Sequence, residues 1–148
     1  MRFPLPTFCL SAGILLFGAG CASVDDERAQ LRFALDQASA LAGEVQMWSR
    51  ARDSGRPAAV PAEIIESIEA FQARAEDVKD RIAGLSQEAL QGTDLAAVDH
   101  ALTNMIDFDT GLIEDASQDA RASLLEQFAG LARNLERAVA AADGSVPR

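Results

Sequence analysis

The sequence has few of the residues that carry out chemistry in proteins. Its 148 residues include two cysteines, one histidine and no tyrosine. Both cysteines, Cys9 and Cys21, lie near the start, so the chain beyond them has no thiol for a disulfide, a zinc site or a nucleophile. The single histidine, His100, excludes a di-iron bundle, which needs two Glu-x-x-His motifs. We therefore expect no catalytic constellation, no cofactor and no enzymatic activity.

Positive charge is also scarce. The sequence contains 13 lysines and arginines and 23 aspartates and glutamates, so its formal net charge is −10. A chain this acidic has no electrostatic attraction to the phosphate backbone of nucleic acids or to anionic lipid headgroups. The composition therefore argues against nucleic-acid binding, and contact with a membrane would need another source of affinity.

The start of the chain has the layout of a secretory signal peptide. Arg2 precedes an apolar run over residues 8–17, which continues through Gly18-Ala19-Gly20 into Cys21. The run is about half the length of the ~20 apolar residues that a membrane-spanning helix needs. An uncleaved anchor helix is therefore disfavoured, and an ordinary secretory signal remains the alternative to the interpretation that follows.

Residues 15–21, Leu-Leu-Phe-Gly-Ala-Gly-Cys, resemble the lipobox of bacterial lipoproteins, with Gly18 where leucine is commonest. The resemblance implies that residues 1–20 are cleaved and that Cys21 is lipidated. Acyl chains then hold the protein on a membrane at ~0.8 kcal/mol per buried methylene. Many such proteins are retained in the inner membrane by aspartate after the cysteine. Ala22 at that position implies the outer membrane, with the domain facing the periplasm.

Beyond the leader, apolar residues recur at steps of three and four, which predicts helices and no strand. The predicted helix starts are Ser23 or Asp25, Pro61, Asp94 and Ser117. The first helix is predicted to end near Arg52, the second at Gly92 and the last at residues 143–147. The third helix is the least regular, because Asp109 interrupts its apolar stripe and Gly111 costs ~1 kcal/mol relative to alanine. This pattern favours a bend or break at residues 107–111.

Four segments of about 22 to 29 residues joined by short loops predict an antiparallel four-helix bundle. The predicted organisation is a signal peptide at 1–20, a lipidated tether at 21–25, the bundle at 26–143 and a flexible tail at 144–148. Apolar seams this regular also suit a pair of long hairpins that dimerise, so a homo-oligomer is the alternative architecture.

Two clusters in the predicted bundle are candidate sites. The acids near the irregular third helix would offer oxygen ligands to a divalent cation, although they do not fit an EF-hand loop; these are Asp107, Asp109, Glu114 and Asp115. The alternative is a solvated bend.

A basic patch beside the first loop would contact an acidic partner; it comprises Trp48, Arg50, Arg52 and Arg56. The alternative is that Trp48 packs in the core and the arginines interact with a helix dipole.

The function that these features favour is non-enzymatic. We expect a membrane-anchored periplasmic lipoprotein that acts as a helical binding or scaffold module for another protein of the cell envelope. The alternative is a carrier of a small ligand or a metal, with its pocket between the helices near the irregular third one.

Overall fold

The computed structural model describes residues 23–53 and 61–146, and in these ranges the chain is all-helical. The predicted helical class is therefore confirmed. The six helices are α1 (Val24–Asp53), α2 (Pro61–Ala83), α3 (Gln87–Leu90), α4 (Ala96–Ile106), α5 (Gly111–Glu114) and α6 (Gln118–Asp143). The predicted signal peptide with Cys21, and Arg56 of the predicted basic patch, lie outside the described residues.

Several helix starts lie where the sequence predicts them, because polar side chains satisfy the free backbone N–H groups of the first turn. The Ser23 hydroxyl accepts from the Asp26 amide at 3.2 Å, and the Asp26 carboxylate accepts from the Ser23 amide at 3.3 Å. The Ser117 hydroxyl accepts from the Ala120 amide at 3.3 Å. The helix α1 begins at Val24, within the segment predicted as a tether.

The predicted third helix is interrupted at residues 107–110, as its irregular pattern indicates. The helix α4 has 11 residues and α5 has four, so the third predicted segment contains two helices on either side of the break. The short helix α3 was not predicted. It lies between α2 and the turn at Gly92, whose φ of 88° suits glycine.

The structure describes residues 144–146 of the predicted flexible tail, and residues 147–148 lie outside the described ranges. Residues 144–146 form a turn in which the Ser145 hydroxyl donates to the Ala142 carbonyl at 2.6 Å. Val146 is 9% exposed and packs in the hydrophobic core. The burial of one apolar side chain therefore orders a segment whose composition favours a loose end.

The helix α1 packs against α2, α3 and α6, while α4 packs against α2 and α6. Near the start of α1, Glu27 accepts a hydrogen bond from Ser86, which follows α2, and near its end Trp48 contacts Phe71 of α2. The helices α1 and α2 are therefore antiparallel. The helices α2 and α6 face each other across the core, where Phe71 and Phe128 approach to 6.4 Å between ring centroids.

The core is rich in alanine. Ten of its 25 buried apolar residues are alanines, many of them on α1 and α6, which share the most extensive contact in the structure. Small side chains let these two helix backbones approach closely, but they leave few large apolar groups to be buried. The stability of the domain therefore depends strongly on a few large side chains, of which Phe128 is the largest that is fully buried.

Gly43→Ala is expected to raise the free energy of unfolding by about 0.5–1 kcal/mol, because Gly43 lies inside α1 and alanine favours the helical backbone. A Cβ at this position would meet no atom within 4 Å. Urea unfolding of the domain, followed by circular dichroism, measures the change. Gly92→Ala is the matched control: its φ of 88° strains alanine, so we expect destabilisation. The same sign for both variants would contradict the prediction.

Candidate functional site

The structure divides the predicted basic patch. Trp48 is partly buried, with its ring packed edge-on against Phe71 at 5.6 Å between centroids. The Arg52 guanidinium carbon lies 4.6 Å from the Trp48 ring centroid, a cation–π contact. Arg50 is exposed, and a two-residue step turns the helix by about 200°, so it lies on another face of α1. Trp48 and Arg52 thus form a packed pair, and Arg50 does not extend it.

The predicted metal site is not supported. Within residues 23–53 and 61–146, no three His, Cys, Asp or Glu side chains form a group that could hold a metal. The Asp109 carboxylate accepts from the Gly111 amide at 2.9 Å, so it caps its own turn. The other three acids, Asp107, Glu114 and Asp115, are exposed. The break between α4 and α5 spreads the acids over a solvated connection, which is the alternative that the sequence offered.

His100 is exposed on α4, and the polar contacts between α4 and α2 are made by its neighbours. The Lys79 ammonium lies 3.4 Å from the Asp99 carboxylate and donates to the Thr103 hydroxyl at 2.6 Å. These contacts join α2 to α4 at Asp99 and Thr103. Asp99, which precedes His100 in the sequence, therefore has a structural role.

Gln72 has a role that the apolar pattern does not reveal. Its side-chain amide nitrogen donates to the carbonyl oxygens of Met105 at 3.1 Å, Ile106 at 2.9 Å and Phe108 at 2.8 Å. The last carbonyls of a helix have no partner within that helix. Gln72 of α2 therefore supplies the cap at the end of α4. The one signal in the sequence is a polar residue four positions after Ile68, on the edge of the apolar stripe.

Replacement of Gln72 by methionine, which has a similar shape, is expected to lower the free energy of unfolding by about 1–3 kcal/mol. The reason is that the Ile106 and Phe108 carbonyls lose this donor, whereas the Met105 carbonyl keeps the backbone amides of Asp107 and Phe108. Hydrogen exchange should also become faster at the amides of Asp107 and Phe108. Gln30→Met, at an exposed position of α1, is the control and should change neither quantity. Equal exchange in the two variants would contradict the capping role.

Four aromatic rings connect the helices across the core. Trp48 contacts Phe71, Phe71 lies 6.4 Å from Phe128, and Phe128 lies 5.1 Å from Phe108, between ring centroids. Phe128 is fully buried, whereas Phe108 is partly buried in the connection between α4 and α5. The row of rings thus ends at the surface beside α6.

A groove of about 450 Å³ lies on the surface at this point. We call it the α6 groove; its lining residues are Phe108, Gln127, Gly130, Leu131, Arg133, Asn134 and Arg137. Two other surface grooves lie beside α3, with about 570 Å³, and beside Phe33 of α1, with about 260 Å³. The α6 groove differs from both in having two arginines in its lining. Sequence reasoning missed it because Phe108 and the arginines are far apart in the chain.

The chain matches no known protein family, no curated protein and no solved structure. Its function is therefore inferred from its own residues and their geometry. Among the helices described, none is both long and apolar enough to cross a membrane.

Proposed function

We propose that this protein is a lipid-anchored bacterial envelope protein whose helical domain binds another envelope protein in the periplasm. The observation that carries the proposal is the order of features at the start of the chain. An apolar leader ends in Gly18-Ala19-Gly20-Cys21, and the hydroxyl of Ser23, two residues later, caps the first helix. The folded domain thus begins directly after the candidate lipidation site.

The domain is an antiparallel four-helix bundle in this proposal. Its support is that α1, α2, α4 and α6 are the four longest described helices and that each packs on two of the others. The short helices α3 and α5 then belong to the connections on either side of α4. This arrangement is the up-and-down topology that short loops favour.

The anchor would place one end of the bundle at the membrane. Lipid on Cys21 would hold the first turn of α1 beside the headgroups, and its 30 residues at 1.5 Å each would extend about 45 Å from there. That first turn carries Asp25, Asp26 and Glu27, which gain nothing from anionic headgroups. The acyl chains would supply the membrane affinity, and the sides and far end of the bundle would face the periplasm. Ala22 favours the outer membrane.

The binding role is supported by what the exposed surface offers. The α6 groove is lined by Phe108 and Leu131 together with two arginines. Apolar groups that lie together with polar groups at the surface are typical of contact surfaces, whereas single exposed residues such as Phe33, Met47 and Leu112 are ordinary. A carrier of small ligands would need an enclosed cavity between the helices, whereas the three grooves described above lie on the surface.

Native mass spectrometry of the tagged protein, extracted gently from its own cell envelope, tests the proposal. We expect the mass of the chain from Cys21 onward plus acyl chains, in complex with a stoichiometric second protein. A chain that is cleaved at another position and carries no lipid would contradict the proposed lipid anchor on Cys21. A lipidated chain that carries only a small ligand or a metal would contradict the binding role and favour the carrier.

A further inference from the structure

The α6 groove concentrates positive charge on an acidic protein. Arg133 and Arg137 are four residues apart on α6, so they lie on the same face of the helix, one turn from each other. The acid between them, Glu136, accepts from the Gln46 side chain of α1 at 2.8 Å and is thereby turned toward α1. The groove is therefore lined by two arginines together with the apolar side chains of Phe108 and Leu131.

The arginines retain the capacity to bind further carboxylates. Arg137 donates to the Asn134 side-chain oxygen at 2.5 Å and to the Arg133 carbonyl at 3.4 Å, and to no carboxylate in the described part of the chain. Arg133 pairs with Glu126 at 2.6 Å, but the two side chains are 47% and 63% exposed. An exposed pair is worth about 0–1 kcal/mol, so a partner's carboxylate can replace it at small cost. Each guanidinium has five N–H donors, more than these contacts use.

The floor of the groove is held in place from inside the protein. The Phe108 ring packs on the buried Phe128 ring at 5.1 Å, and Gln72 binds the Phe108 carbonyl at 2.8 Å. Gly130, in the middle of α6, has no side chain, and the Arg133 guanidinium lies over it, since a Cβ here would be 3.5 Å from the Arg133 Nη2 atom. A floor that is already rigid needs little ordering when a partner binds, which favours affinity.

We propose that the α6 groove is the surface that binds the partner, and that it takes an acidic segment in which an apolar side chain lies next to at least two carboxylates. The apolar side chain would pack on Phe108 and Leu131, and the carboxylates would pair with Arg133 and Arg137. Charge complementarity carries the choice, since planar guanidinium groups pair with carboxylates in a bidentate manner. This inference rests on the proposed binding function.

A second copy of the chain is a poorer occupant. The exposed face of α2 is acidic, with Glu66, Glu69, Glu76, Asp77 and Asp80. However, the large apolar residues that are exposed in the described ranges are Phe33, Met47 and Leu112, and none of them is on α2. That face therefore has no side chain to fill the apolar floor. A second copy would have to use Leu112, which lies among the exposed acids Asp109, Glu114 and Asp115 on the connection around α5. Two copies of a chain with a net charge of −10 also repel each other.

Site-specific photocrosslinking in the native envelope tests the inference. Benzoylphenylalanine is placed at Gln127 on the groove rim of the full chain, and at Met47 and Ala73 as exposed positions elsewhere. From Gln127 we expect one major adduct, to a partner peptide with at least two acidic residues beside an apolar one. Arg137→Glu should reduce its yield about tenfold by charge repulsion. Gly130→Leu should also reduce the yield of the adduct, because the leucine side chain would occupy the floor of the groove.

Both variants are expected to fold. Arg137 is exposed, and a Cβ at Gly130 would meet only the flexible end of Arg133, at 3.5 Å. Thermal unfolding of the extracted variants at a temperature no lower than that of the unmodified protein checks this, since leucine favours the helix more than Gly130 does. Arg137→Lys, which keeps the charge but not the bidentate guanidinium, should retain more of the adduct than Arg137→Glu.

The outcomes separate the inference from the function on which it rests. An adduct to a second copy, an adduct to a segment without acidic residues, or a yield that does not fall in Arg137→Glu overturns the inference. Adducts to another protein from Met47 or Ala73, with none from Gln127, overturn the inference and leave the binding function standing. Absence of adducts from all three positions overturns both.

Discussion

Phe128→Ala is expected to lower the free energy of unfolding by about 3–5 kcal/mol. Phe128 is fully buried, and its ring contacts both Phe71 and Phe108. The substitution removes the largest fully buried side chain of the described ranges, in which ten of 25 buried apolar residues are alanines. The surrounding helices relax only partly around the space, so the cavity term adds to the lost transfer free energy.

Phe33→Ala provides the matched control, since it removes the same side chain from an exposed position of α1. Phe33 is 56% exposed, and we expect its loss to change the free energy of unfolding by less than about 1 kcal/mol. Urea unfolding of both variants, followed by circular dichroism, measures the difference. Similar values for the two substitutions would mean that the aromatic row does not hold the helices together.

Cys21→Ser is expected to release the protein from membranes. If Cys21 carries the lipid, the variant loses every acyl chain, and each buried methylene contributes ~0.8 kcal/mol to membrane affinity. The acidic domain offers no electrostatic substitute, because its net charge is strongly negative. Flotation of envelope membranes on a density gradient, with detection of the protein in each fraction, measures the partition between membrane and soluble pools.

Cys9→Ser provides the control for this experiment. It removes the other cysteine, which lies inside the predicted signal peptide and upstream of the predicted cleavage site. We expect this variant to float with the membranes as the unmodified protein does. Membrane retention of Cys21→Ser at the level of the unmodified protein would contradict the lipoprotein proposal.

The local features of the fold could be predicted from the sequence because neighbouring residues determine them. Ser23 and Ser117 cap helices through contacts three residues away. Gly92 marks a turn because its backbone conformation disfavours other residues. The interruption of the third predicted helix at residues 107–110 follows from an aspartate in the apolar stripe and a glycine close by.

The candidate site could not be predicted in the same way. Trp48, Arg50 and Arg52 are close in sequence, which suggested a patch, but the helical turn places Arg50 on a different face from the other two. The four acids near Asp109 suggested a metal site, but the break after α4 distributes them along an exposed connection. Proximity along the chain was a poor guide to proximity in space at both places.

The sequence by itself thus determined the helical class, the main caps and the position of the break, since these depend on residues within one or two helical turns. Only the tertiary structure decided how α4 ends, where Val146 packs and which arginines line a groove with Phe108. Gln72 reaches carbonyls 33 to 36 residues away, and Phe108, in the connection between α4 and α5, lines one groove with Arg133 and Arg137 of α6. Such contacts depend on the mutual orientation of packed helices, which apolar periodicity alone does not specify.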